Sequence, residues 1–371
     1  MSQKTGNNIG VLRLLLASLV IIGHAPEMID GGRQREPMTM IFHTISLGGF
    51  AVDGFFLLSG YLITKSMLST KAVGPYMVRR VLRIWPGYLT AFLISVLCLC
   101  PLLGGAPWRH LGSTLASLAA MRAPPYYPGQ LRGLPYPALN GSMWTIAYEF
   151  RCYVMVALMF ALGLLRWRWL CLGLAVLLMA CSVAASLPGV AGRLNGFHPL
   201  HLDFVLGDVT QTIHLTAVFL AGMCFYLFWD RISVWLSGWA VAGCALATAL
   251  LLFVPSLAEA GLSTFGAVVL FWVAFTARLG VFQRINDRWD ISYGTYLYGW
   301  PVAITILYVY RDIGPAGLAA VSLLLSWACG AASWWGLEKW AKGLFPSRRS
   351  QHEAADQGGA SQLASAAAPT R

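Results

Sequence analysis

Long apolar runs recur along almost the whole chain, separated by short blocks of basic and turn-forming residues. A helix needs roughly 20 apolar residues to cross the hydrocarbon core of a bilayer. Ten spans are predicted on that basis, over about 9–25, 47–66, 85–104, 145–165, 168–188, 211–229, 233–254, 262–280, 293–310 and 315–336. The expected fold is all-α, a polytopic membrane helical bundle of about ten transmembrane helices. The linkers carry turn formers, as in Pro124-Pro125 and Pro135-Tyr136-Pro137. Residues 1–345 read as one membrane domain. Residues 346–371, rich in Ala, Ser, Gln and Gly, read as a disordered tail. The first run carries Arg13 and ends in His24-Ala25-Pro26 without a small-x-small cleavage site, so it is expected to be a retained helix and not a signal peptide.

Composition agrees with the pattern. Of 371 residues, 57% are hydrophobic and 11% charged, against about 25% charged in an average soluble domain. The net charge of +11 does not point to nucleic acid, because the basic residues form no single stripe. They sit between apolar runs as anchors to the lipid bilayer. With both termini on the cytoplasmic side, 17 of the 26 Lys and Arg fall inside and seven outside, with Arg13 and Arg151 within spans. The positive-inside rule therefore favours cytoplasmic ends. The eight cysteines lie in or beside apolar runs and form no CxxC pair, so they read as packing residues.

Ionisable groups inside a membrane are costly and count as functional candidates. Arg13 and His24 share the first span, 11 residues apart, which puts them on almost one helix face about 16 Å apart along the axis. They could line a polar path, or they could simply snorkel to the two interfaces. Arg79, Arg80 and Arg83 stand at helical spacing just before the third span. Such a cluster suits a phosphate-bearing ligand or serves as an ordinary basic anchor. Glu149 opens the fourth span within Trp144-Thr-Ile-Ala-Tyr-Glu149. A carboxylate at that depth needs a partner. It is expected either to orient His24 as a general base or to pair with an arginine for packing. Two loops expected outside, about 105–144 and 189–210, hold Trp108, Tyr126, Tyr127, Tyr136, Phe197, His198 and His201, a mixture that suits a sugar or merely caps the bundle. His198-Pro-Leu-His201-Leu-Asp203 has the residue types of a metal site, but loop histidines of this kind usually contact solvent or substrate, and no metal is expected.

The order of segments resembles the acyltransferase 3 family, bacterial integral-membrane O-acyltransferases that modify polysaccharides, lipopolysaccharide, nodulation factors and some antibiotics. The segments are Arg13…His24, Asp53-Gly-Phe-Phe-Leu-Leu-Ser59-Gly-Tyr-Leu-Ile, Arg79-Arg80-Val-Leu-Arg83-Ile-Trp-Pro, Met-Trp144-Thr-Ile-Ala-Tyr-Glu149 and Ser292-Tyr293-Gly294-Thr-Tyr-Leu-Tyr. The likeness covers about residues 8–340 and implies that the membrane is a bacterial inner membrane. It implies that His24 is the catalytic histidine, paired with Arg13, and that Arg80 and Arg83, supported by Arg79, hold acyl-CoA from the cytoplasm. It also implies that Glu149, Asp53, Ser59, Trp144, Ser292, Tyr293 and Gly294 are family-motif positions. Gly299 stands where relatives commonly have His, and Lys339-Trp340 follow Glu338 where Pro is often found. Many relatives carry a fused esterase-like domain. No such segment follows here, so the membrane domain is expected to perform the transfer itself.

The function expected is O-acyl transfer, with acetyl-CoA the expected donor. The acceptor expected is a hydroxyl of an envelope polysaccharide, glycolipid or lipid-linked sugar. The alternative is a transporter or flippase that uses the same intramembrane charges as a substrate path.

Overall fold

The computed structural model describes residues 7–187, 189–196, 207–286 and 289–340. The described residues form helices joined by turns, with no β-strand. Eight helices are long and apolar enough to cross a membrane: α1 (Ile9–Asp30), α2 (Leu47–Thr70), α3 (Val73–Leu102), α4 (Gly141–Ala161), α5 (Arg168–Ala185), α6 (Val209–Leu227), α8 (Ala258–Phe275) and α10 (Pro315–Glu338). Between α6 and α8, Trp229–Trp235 and α7 (Gly238–Leu251) form a pair bent by 96°, which makes nine if counted as one broken span. The remaining place in the expected ten is taken by α9 (Ser292–Val309). Its first half is Ser, Thr, Gly and Tyr, too polar to rank with the eight, and it is mostly buried inside the bundle. The protein is thus a multi-pass helical membrane protein, and about ten was a fair count. The tail expected over 346–371 and the His198…Asp203 segment lie outside the described residues.

Two boundaries differ from expectation, and both matter for the site. The apolar run of α1 falters at Pro26, which cannot donate a backbone hydrogen bond. The helix nevertheless continues one more turn and stops at Gly31, whose left-handed φ of 70° lets its N–H cap the Glu27 carbonyl at 2.9 Å. Helix α3 begins at Val73, about a dozen residues earlier than expected. Its arginine-bearing first half is therefore helical, with Tyr76 and Ile84 buried against the bundle.

Close helix contacts set the frame. Without a hydrophobic effect between helices in lipid, small residues that admit backbone contact hold spans together. A Cβ on Gly60 of α2 would lie 2.0 Å from the Phe219 carbonyl oxygen of α6, and one on Gly222 of α6 would lie 2.1 Å from the Leu57 carbonyl oxygen. Helices α9 and α10 meet in the same way, with a Cβ on Gly294 falling 2.8 Å from Gly330 Cα. Helix α1 is tied to α10 by Trp327 Nε1 donating to Ser18 Oγ at 3.1 Å. The 105–144 loop caps α9: Asn140 Nδ2 donates to the Leu297 carbonyl at 3.0 Å and Trp300 Nε1 to the Ala138 carbonyl at 2.7 Å. All eight cysteines are free thiols.

Candidate active site

Two cavities open between these helices. One, of about 180 Å³, is lined by Arg13, Ser59, Arg80, Arg83, Glu149, Tyr153, Ser292 and Tyr293 among others and is called here the arginine chamber. The other, of about 170 Å³, is lined by His24, Asp53, Trp144, Gln211, His214 and Glu259 among others and is called the histidine chamber. Val52 and Tyr296 line both. Arg13 and His24, both on α1, line different chambers.

In the arginine chamber one carboxylate serves two guanidinium groups. Asp290 Oδ2 accepts from Arg13 Nη1 at 2.5 Å and from Arg83 Nη2 at 3.1 Å, while its Oδ1 accepts from Ser292 Oγ at 2.6 Å. Arg80 is held differently. Its Nη2 donates to Ser66 Oγ at 3.2 Å and its guanidinium lies 5.6 Å from the Tyr76 ring centre, a cation–π distance. The buried Arg80 Nε has no hydrogen-bond partner among the described residues. Arg79 turns away to Thr70 Oγ1 and does not line the chamber. Glu149 Oε1 accepts from Ser59 Oγ at 3.1 Å and from the Tyr153 hydroxyl at 2.5 Å. Three guanidinium groups against two carboxylates leave a positive, partly dehydrated space suited to an anionic ligand.

In the histidine chamber His24 Nδ1 lies 2.8 Å from Glu27 Oε2, and Arg33 Nε donates to Glu27 Oε1 at 3.1 Å. The carboxylate accepts, so Nδ1 carries the proton and Nε2 is left as an acceptor. Trp300 packs edge-on at 4.9 Å and fixes the ring plane. A carboxylate that orients an imidazole with its other nitrogen free is the arrangement a general base needs. Across the chamber, His214 Nε2 lies 2.9 Å from Asp53 Oδ1 and Nδ1 lies 3.1 Å from Glu259 Oε2. Both His214 nitrogens are thereby engaged. Among the described residues no group of His, Cys, Asp or Glu is arranged to hold a metal ion.

The expectation that Glu149 orients His24 is corrected by this geometry. Glu149 lines the arginine chamber, held by Ser59 and Tyr153, and the carboxylate on His24 is Glu27.

The family model described as an acyltransferase domain, that of acyltransferase 3, matches residues 7–335. The chain belongs to the acyltransferase 3 family. It is a membrane O-acyltransferase. Curated relatives include a Shigella phage Sf6 protein named O-acetyl transferase, 25% identical over 85% of this chain and 92% of its own length. Nodulation protein 10 of Rhizobium leguminosarum bv. viciae is 27% identical over 87% and 91%. Acyltransferase MdmB of Streptomyces mycarofaciens is 28% identical over 48% and 50%. No solved structure matches the chain significantly.

In this acyltransferase 3 chain the motif positions divide by what they touch. Arg13, Ser59, Arg80, Arg83, Glu149, Ser292 and Tyr293 line the arginine chamber, and His24, Asp53 and Trp144 the histidine chamber. Tyr293 also bridges helices, its hydroxyl donating to the Ile84 carbonyl at 2.9 Å. Gly294 serves helix contact. Gly299 faces α1, where a Cβ would lie 2.7 Å from Ile21 Cγ1, so a larger residue there would require the Ile21 side chain to move. Four acidic or histidine residues that line or support the chambers escaped the reading of the sequence: Glu27, His214, Glu259 and Asp290. His214 lies within an apolar run and Glu27 stands three residues after His24, so both carried a signal of their own.

Proposed function

We propose that this protein transfers an acetyl group from cytoplasmic acetyl-CoA to a hydroxyl of an envelope polysaccharide, glycolipid or lipid-linked sugar, across a bacterial inner membrane with both chain ends in the cytoplasm. The observation that carries the reading is the pairing of two chambers that share Val52 and Tyr296 in their linings, one cationic and one with an oriented imidazole. Acetyl as the group and oxygen as the acceptor atom are supported by the name of the phage relative. Each chamber is smaller than the roughly 300–1,000 Å³ of a typical ligand pocket. The arginine chamber therefore takes the slender thioester arm, with Arg80 and Arg83 toward the phosphates and Arg13 beside the arm.

The acceptor hydroxyl enters the histidine chamber. His24 Nε2 takes its proton as the oxygen attacks the thioester carbonyl at the meeting point. The C–O bond forms and the C–S bond breaks, and the thiolate recovers the proton from the His24 imidazolium. Ester and free CoA thiol leave with no net proton change. Glu27, held by Arg33, stabilises the imidazolium between the two steps.

His24→Ala should abolish acetyl transfer by a factor of about 10²–10⁴ at unchanged expression. The readout is free CoA released from acetyl-CoA by purified protein in nanodiscs with envelope glycolipid extract. Full activity in that variant would overturn the assignment of the base.

A further inference from the structure

We infer that Val52 and Tyr296 form a neck that selects the acyl group by its bulk; this deepens the acyl-CoA reading above and rests on it. The arginines stand in one chamber and His24 in the other, so the thioester carbonyl reacts where the chambers meet. Val52 and Tyr296 are the two residues that line both. The neck is built to hold its shape. The Tyr296 hydroxyl donates to the Ser142 carbonyl at 2.6 Å and lies 2.7 Å from Thr145 Oγ1. Its ring packs edge-on against Phe55 at 6.0 Å. Val52 joins it in both linings from α2, a β-branched side chain with one strongly preferred rotamer in a helix. The next residue on α2, Asp53, is bound to His214 of α6. Both neck side chains are buried, so a wider acyl group cannot displace them into open space.

An acetyl group presents one methyl to this neck. An isobutyryl group presents an isopropyl, the same group as the valine side chain it must pass. Val52→Ala removes two methyls, which is the bulk that isobutyryl has beyond acetyl. Val52→Ile adds one carbon and narrows the neck. The chemical step is the same for every donor: the C–S bond breaks, the C–O bond forms and the hydroxyl proton ends on the thiol.

The test uses inside-out membrane vesicles from cells expressing the full chain, supplied with radiolabelled acetyl-, propionyl- or isobutyryl-CoA. Label is counted in the envelope glycan and lipid fractions. One methylene of misfit discriminates by about 10–200-fold in a closed pocket. Val52→Ala should therefore raise the isobutyryl-to-acetyl ratio about tenfold or more, and Val52→Ile should lower the propionyl-to-acetyl ratio. The opposite signs keep the test decisive if one variant accumulates poorly. Ratios equal to wild type in both variants would overturn the neck while leaving the donor reading intact. Vesicles of the unaltered protein that take label from no acyl-CoA would overturn the donor reading, and the neck with it.

Discussion

At the scale of single residues, the carboxylate that touches His24 is the one whose loss reaches the chemical step. Glu27→Gln keeps the shape but removes the charge that stabilises the imidazolium. Its expected effect is a fall in kcat of about 10²-fold with little change in KM for acetyl-CoA. Glu149→Gln disturbs the arginine chamber and should raise the donor KM first. Steady-state CoA release by the two variants checks this, and an exchange of the two signatures would return Glu149 to the base. His214 makes a second prediction. With Asp53 replaced by Ala, the buried imidazole keeps Glu259 and Ser182 at Nδ1 but loses its partner at Nε2, and removing one partner of a buried pair costs about 3–5 kcal/mol. Thermal unfolding in detergent should show a clear loss, whereas Asp30→Ala, which breaks an exposed pair with Arg35, should leave the transition in place. The candidates His24, Arg13 and Glu149 stood out as ionisable groups inside apolar runs, and Arg80 and Arg83 as a helically spaced cluster beside one, but their partners did not. Asp53 and His214 are 161 positions apart and Arg13 and Asp290 are 277 apart, distances over which spacing carries no information. Glu27 was near enough to see. It was passed over because Pro26 reads as a helix stop, while the stop is Gly31.

Among the elements, the contact of α2 with α6 does most to set the histidine chamber. Its glycines admit backbone against backbone, and this holds Asp53 of α2 within reach of His214 of α6. Gly60→Ala would place a Cβ 2.0 Å from the Phe219 carbonyl oxygen. That contact cannot be relieved by a side-chain rotation, so the helices must part, at a cost of about 1–3 kcal/mol or more. The expected outcome is a smaller monodisperse fraction on size exclusion, a lower unfolding temperature and reduced transfer. Gly74→Ala, at a site with nothing within 4 Å of the new carbon, serves as the matched control. Span positions were the most legible part of the fold because a run of apolar residues is a local property. Two elements were harder. Helix α3 hides its first turns behind Arg79, Arg80 and Arg83, whereas α9 was placed in spite of its polar first half. The pair before α8 bends by 96° where a straight span was expected.

For the whole molecule, the two chambers define a barrier as well as a meeting point. A transferase that accepts its donor from one side of a membrane and its acceptor from the other must not become an open pore, because leakage of ions and water would accompany every catalytic cycle. On the proposed reading, Val52 and Tyr296, which line both chambers, close the passage, and the arginine chamber faces the cytoplasm as the excess of Lys and Arg would have it. Side-specific labelling tests this arrangement directly. In a background with the eight native cysteines changed to alanine, Ser59→Cys places a thiol in the arginine chamber and Gln211→Cys places one in the histidine chamber. A membrane-impermeant methanethiosulfonate should modify Ser59→Cys from the cytoplasmic side of sealed vesicles and leave it untouched from the other. Gln211→Cys should show the reverse. Reaction of either thiol from both sides would mean a continuous aqueous channel. Reaction of both from one side would mean a single vestibule, in which donor and acceptor enter together and no group crosses the membrane at all. Labelling that follows the expected sides leaves the acyl group as what passes from one compartment to the other, through a constriction walled by one valine and one tyrosine.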